Sequence, residues 1–175
     1  GEEELDCTGE CGGDAYCFTY ELPNGNSLIS LPGYLENTSS QNLMNEIIND
    51  GTNIEFLLTQ GFGLFNTPTG WSGNLTDVNP YSGYWINTAN AYTWDLLFEG
   101  GAIENCESYP TSFGNNLISY KWGSGSSPTL DALGGEAFAT ENFNFILGQG
   151  FGLFKTADGW SGNLTNLVEG KGYWV

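Results

Sequence analysis

Histidine and arginine are absent from this chain. Only three lysines (Lys121, Lys155 and Lys171) stand against 21 acidic residues in 175, a formal net charge of −18. Each gap excludes a class of function. Without histidine there is no Ser-His-Asp or Cys-His nucleophile and no imidazole-ligated metal. Without a basic patch there is no footprint for nucleic acid, and an anionic membrane surface repels the chain. No run of about 18 apolar residues occurs, so no membrane insertion is predicted. The opening Gly1-Glu-Glu-Glu4 is the reverse of the basic start of a secretory signal. A secreted origin would therefore make this a mature form or a fragment. What is present is apolar bulk: 39% hydrophobic and 15% aromatic residues suffice for a core, and 26 glycines imply many turns.

The chain contains itself twice. Gln60-Gly-Phe-Gly-Leu-Phe65 returns as Gln149-Gly-Phe-Gly-Leu-Phe154, and Gly70-Trp-Ser-Gly-Asn-Leu-Thr76 as Gly159-Trp-Ser-Gly-Asn-Leu-Thr165. Gly83-Tyr-Trp85 returns at Gly172, and Leu28-Ile-Ser30 at Leu117, always 89 residues on. Residues 17–86 and 106–175 match at 27 of 70 positions, where average usage predicts about 6%. This is a duplication. The division is an acidic Cys-rich head (1–16), copy one (17–86), a connecting segment with an extra predicted strand (87–105) and copy two (106–175).

The predicted class is α+β, mainly antiparallel β: two tandem copies of a strand-strand-helix-strand-strand-strand unit of about 70 residues. Strands are predicted over 18–22, 27–31, 54–58, 61–65 and 83–87, and another over 92–98. Between residues 31 and 52 no position matches its partner. There Leu43, Met44, Ile47 and Ile48 predict a helix capped by Ser39 or Ser40 and ended at Asp50-Gly51. The counterpart in copy two predicts a Gly/Ser loop, then about two turns of helix from Pro128, ended at Gly134-Gly135.

Asn26-Ser-Leu-Ile-Ser-Leu-Pro32, a variable helical stretch, Gly-Trp-x-Gly-x-Leu and Gly-Tyr-Trp-Ile86 resemble a repeated module of secreted and cell-surface prokaryotic proteins. That module opens on "NLISLP" and closes on "GYWI". The head, Asp6-Cys-Thr-Gly-Glu-Cys-Gly-Gly-Asp14, is similar to the "DC.G.CGGD" linker motif of secreted proteins. The resemblance implies extracellular or cell-surface residence and no known catalysis. Copy two departs from it at Tyr120-Lys121.

Several constellations carry candidate chemistry. Cys7, Cys11, Cys17 and Cys106 have no tidy zinc spacing, so two disulfides are expected; all three connectivities stay open. Cys17 and Cys106 are equivalent, so a bridge from Cys106 to the head is expected. Asp6, Glu10 and Asp14 are candidate Ca2+ ligands within an acidic head that otherwise reads as a solvated tail. Trp71, Asn74, Trp160 and Asn163 are candidate sugar contacts, through ring stacking and hydroxyl recognition; the competing reading buries the tryptophans in the core. Asn37, Asn74 and Asn163 begin N-x-[ST] tripeptides. Paired carboxylates are the one acid–base chemistry left open, but Glu36, Glu46, Asp50 and Glu55 all align with non-acids.

The expected function is a non-enzymatic extracellular structural or adhesive protein, a candidate subunit of a self-assembling surface filament. Its expected partners are copies of itself or cell-surface components. A carbohydrate-binding module and a viral or phage surface protein are the alternatives. For assembly, Phe18, Tyr20 and Leu22 of one chain are expected to meet an open edge at Tyr173 and Val175 of the next.

Overall fold

The computed structural model describes residues 15–49, 53–98, 109–120 and 125–175. In chain order, β1 (Tyr16–Leu22) and β2 (Gly25–Ser30) precede helix α1 (Ser40–Asn49). Then come β3 (Ile54–Thr59), β4 (Phe62–Thr67), β5 (Gly70–Gly73), β6 (Gly83–Thr88) and β7 (Tyr92–Phe98). The second half holds β8 (Leu117–Ser119), β9 (Ser126–Pro128), α2 (Thr129–Ala132) and α3 (Glu136–Asn142). It ends with β10 (Phe145–Gly148), β11 (Phe151–Thr156), β12 (Gly159–Gly162), β13 (Asn166–Val168) and β14 (Gly172–Trp174). The class is α+β, dominated by antiparallel sheet.

Two five-stranded sheets carry the architecture, ordered β2-β6-β3-β4-β5 and β8-β14-β10-β11-β12. Each strand of the second lies at the place its 89-residue counterpart takes in the first. The hairpins form where the pattern asks for them: two-residue turns at Gln60-Gly61 and Gln149-Gly150 join strands whose partners are Leu57↔Leu64 and Ile146↔Leu153. β5 and β12 add edge strands where the sequence predicted only turns. Their four residues, glycine at both ends, are too short for a period-two signal, and pairing with β4 and β11 creates them.

In the first half the inner sheet face (Ile29, Leu57, Leu64, Tyr84, Ile86) joins Leu43, Met44 and Ile47 of α1 in one buried cluster. Ser39 starts that helix, its carbonyl accepting from Leu43 N at 3.0 Å. β1 and β7 form a separate two-stranded ribbon in register from Tyr16↔Phe98 to Leu22↔Tyr92. Its inward residues Tyr20, Leu22, Trp94, Leu96 and Phe98 complete the same cluster, with Tyr20 stacked on Trp94 at 5.2 Å. The strand expected over 92–98 is thus real, but it covers a face and does not extend the sheet.

The second half has a smaller cluster: Tyr120, Ile146, Leu164, Leu167, Tyr173 and Val175. Helix α2 ends ahead of Gly134-Gly135 as expected, after one turn and not two, but a further helix that was not expected follows. Both glycines take positive φ, 92° and 94°, and the chain re-enters helix as α3. β14 is an inner strand, bonded to β8 on one side and β10 on the other. No open edge therefore exists at Tyr173 or Val175, and both are buried. Tyr20 and Leu22 are equally committed to their own core, and Phe18 packs against it with its ring over Gly170. Strand addition of the expected kind has neither a free donor nor a free acceptor among these residues. Among the described residues no helix is long and apolar enough to cross a membrane.

Candidate functional site: two equivalent grooves and an aromatic hairpin

The halves meet through contacts that come in pairs. Gln60 donates from Nε2 to Asn115 O at 2.6 Å and accepts from Leu117 N at 3.0 Å. Gln149 donates to Asn26 O at 2.8 Å and accepts from Leu28 N at 2.8 Å. Ser30 N donates to Gly170 O at 2.9 Å, and Ser119 N to Tyr81 O at 3.0 Å. Positions 26, 28 and 30 correspond to 115, 117 and 119, so each half does to the other what the other does to it. Each glutamine side chain occupies the backbone groups of the opposing edge strand, β8 or β2, that would otherwise be an open ladder.

Beside this junction lie two grooves. One of about 460 Å³ is lined by Gln60, Phe62, Asn74, Asp77, Tyr81 and Leu117 among others. The other, of about 400 Å³, is lined by Gln149, Phe151, Asn163, Asn166, Lys171 and Leu28 among others. Phe62 and Phe151 correspond, as do Asn74 and Asn163. Position 77 is Asp in one groove and Asn166 in the other, which makes the first groove the more acidic.

The candidate sugar contacts divide. Asn74 and Asn163 line the grooves, but each Oδ1 accepts from a backbone N–H of the adjacent hairpin, Gly63 at 2.8 Å and Gly152 at 2.9 Å. They act first as braces between β4 or β11 and the following turn. Trp71 and Trp160 are half-buried against the two clusters. Their indole N–H groups donate to the helix region, to Asn45 Oδ1 at 2.7 Å and Thr140 Oγ1 at 2.9 Å. Neither tryptophan is a free platform. Tyr84 and Tyr173 have structural work too: each hydroxyl accepts a backbone N–H, from Asn79 at 2.7 Å and Val168 at 2.8 Å. Burial pushes both phenols up.

Besides Tyr34, Phe113 and Phe138, aromatics are exposed at corresponding places in the repeated Gln-Gly-Phe-Gly-Leu-Phe hairpin. Phe62 and Phe65 are 54% and 47% exposed, Phe151 and Phe154 57% and 48%. Phe65 belongs to an outward apolar face, since opposed residues of antiparallel strands point to one side. That face runs from Leu28, which the second half covers, through Trp85 and Leu58, with Phe56 opposite Phe65. Its counterpart runs Leu117, Trp174, Leu147 with Phe145 opposite Phe154. Sequence reasoning passed over these phenylalanines; alternation flags Phe65 and Phe154, opposite in face to the buried Leu64 and to Leu153, but not Phe62 and Phe151.

Cys17 is exposed on β1 opposite Leu97 and is disulfide-bonded. Cys7, Cys11 and Cys106, and the calcium candidates Asp6, Glu10 and Asp14, lie outside the described residues. Among the described residues no cluster of three acidic, Cys or His side chains forms a metal site. Asn37 is exposed, its Oδ1 accepting from Ser39 N at 3.0 Å. No family model, no curated protein and no solved structure matches the chain.

Proposed function

We propose that this chain is a non-enzymatic extracellular adhesive protein, one unit used twice, that holds its target through two equivalent aromatic surfaces. The observation that carries the reading is the hairpin kept letter for letter in both repeats with both phenylalanines at the surface. A fold has no need of half-exposed phenylalanine at four corresponding places. Exposed apolar side chains are where soluble proteins meet partners. Two equal sites on one body give avidity without any change in the contact itself. The acidic surface keeps the molecules apart until they reach a target. Residence at the cell surface rests on the resemblance to secreted modules.

The carbohydrate-binding reading is favoured by one observation of its own: Asn74 and Asn163 sit beside Phe62 and Phe151 in matched grooves. In that reading the platform is phenylalanine, with the turn tryptophans as support.

Adsorption of the intact chain to alkylated and to polysaccharide-coated surfaces tests both. The Phe62→Ser/Phe65→Ser/Phe151→Ser/Phe154→Ser variant is expected to lose most adsorption to the alkylated surface while its unfolding midpoint holds. Saturable retention on polysaccharide, lost in the same variant, would select the sugar reading. Wild-type adsorption by that variant to both surfaces overturns the proposal.

A further inference from the structure

The two grooves at the junction keep one ground plan and differ in charge. Each carries an exposed phenylalanine, Phe62 or Phe151, and a hairpin asparagine, Asn74 or Asn163. Among the described residues, Asp77 is the one charged side chain that lines the first groove, and Lys171 the one that lines the second. Their counterparts 89 residues away are neutral: Asn166 stands in the place of Asp77, and Ser82 in the place of Lys171. The formal charge at these two places is therefore −1 in one groove and +1 in the other.

Lys171 is anchored by its backbone and uncommitted at its head. Its carbonyl accepts from Ser30 Oγ at 2.7 Å and Tyr120 N at 3.3 Å, and its N–H donates to Val168 O at 3.2 Å. Ser30 belongs to the first half, so the junction itself fixes the lysine beside the groove. The side chain is exposed, and among the described residues its ammonium makes neither an ion pair nor a hydrogen bond. Lys155, by contrast, donates from Nζ to Thr140 O at 2.5 Å. In a chain of net charge −18 an unpaired ammonium is a scarce group. The surrounding negative field is screened beyond about 8 Å at physiological ionic strength, so the lysine acts on a group held inside the groove. Asn163 stands by with an amide donor: Oδ1 is taken by Gly152 N at 2.9 Å, while Nδ2 has no partner among the described residues.

We propose that the groove of the second half binds an acidic sugar residue, a hexuronate of a polysaccharide, and that the first groove does not. The sugar ring lies on the exposed face of Phe151, Asn163 Nδ2 donates to a hydroxyl, and Lys171 Nζ pairs with the carboxylate. In the first groove Asp77 meets the same carboxylate with like charge, which rejects it. One of its oxygens already accepts from Thr38 Oγ1 at 2.9 Å, and no cation lines that groove to offset it. The inference rests on the carbohydrate reading of the grooves and adds the class of sugar. A glutamate-rich peptide shares the carboxylate but offers no rigid ring to the phenylalanine.

The test titrates the intact chain, at physiological ionic strength, with uronic-acid oligomers of the galacto and manno series. Each is set beside its carboxyl-reduced neutral form. One acidic oligomer per chain is expected, bound at least about fivefold more tightly than the neutral form. Lys171→Gln is expected to erase the preference while neutral binding and the unfolding midpoint hold. Ser82→Lys/Asp77→Asn, which gives the first groove the two residues of the second, is expected to raise the stoichiometry to two. Equal binding of acidic and neutral forms, or a preference that survives Lys171→Gln, overturns the proposal. So does a fall of the midpoint in that variant, which would make the lysine a part of the fold, and so does an oligoglutamate peptide bound as tightly as the uronic acids. Neutral oligomers bound in preference to acidic ones overturn this inference and leave the carbohydrate reading standing. No sugar bound at millimolar concentration overturns both.

Discussion

Single residues decide how closely the strands approach. Gly73 has φ of 154°, and a Cβ there would lie 2.0 Å from Gly63 O; Gly162 repeats this at 2.1 Å from Gly152 O. The same Gly63 oxygen accepts from Asn74 N at 2.9 Å and Leu75 N at 3.1 Å, so it cannot retreat. Gly73→Ala and Gly162→Ala are each expected to cost about 3 kcal/mol in urea unfolding. Gly25→Ala, at φ of 97° with nothing within 4 Å of the added methyl, should cost only about 1 kcal/mol of backbone strain. Tyr16 shows the residue scale in its electrostatics. Burial first, then the charge of Glu169 and a hydrogen bond to it, push the phenol from 10.0 up to about 12. The unfolded chain therefore loses this proton first. Stability from this group is complete below pH 10 and is lost as pH rises toward 12. The urea midpoint is expected to fall across that window, and to fall less steeply in Tyr16→Phe. Tyr20, buried and raised as well, keeps part of the slope in the variant.

At the scale of elements, the helix region carries the divergence between the repeats. α1 is one helix of ten residues, whereas α2 and α3 are two short pieces broken at Gly134-Gly135. Both start from one anchor: Ser40 Oγ donates to Leu75 O at 2.6 Å and Thr129 Oγ1 to Leu164 O at 3.1 Å. Periodicity in Leu43, Met44, Ile47 and Ile48 made α1 legible. α3 was not, because its sequence offers little apolar rhythm and its glycines read as an end. Burial sets the worth of each position. Met44→Ala, fully buried, is expected to cost about 3 kcal/mol by urea unfolding, and Leu133→Ala, at its half-buried counterpart, about 1 kcal/mol or less. Equal costs would mean that the two positions are equally covered in solution.

For the whole molecule, the junction of the halves combines reciprocal backbone bonds, the Gln60 and Gln149 side-chain bonds and the buried Leu28 and Leu117, each packed against a glycine of the opposite half. The two buried clusters remain separate, seventeen residues in one and six in the other. The smaller cluster depends more on its neighbour. Gln60→Ala and Gln149→Ala each remove two hydrogen bonds and are expected to cost about 1–3 kcal/mol, most of it in the stability of the second half. Hydrogen exchange is the measurement: amides of β10 and β14 should lose protection in either variant before those of β3 and β6. Uniform loss across both halves would make the molecule one cooperative unit.

The repeat, its 89-residue offset, the mainly antiparallel class and the helix over 40–49 were all determined by the sequence, because they rest on local periodicity and on identity between distant segments. The absence of histidine and arginine likewise settled which chemistries lie out of reach. What only the tertiary structure decided was the use of each side chain. Trp71 and Trp160 look like platforms but tie their N–H groups to the neighbouring helices. Phe65 and Phe154 look like core but stand at the surface. Tyr173 and Val175, which read as an open edge, are buried beside an inner strand. Period-two alternation says that a strand has two faces and says nothing of which face another element will cover. In the first repeat that element is β7, paired with β1 across some 75 residues, a contact that no local pattern encodes.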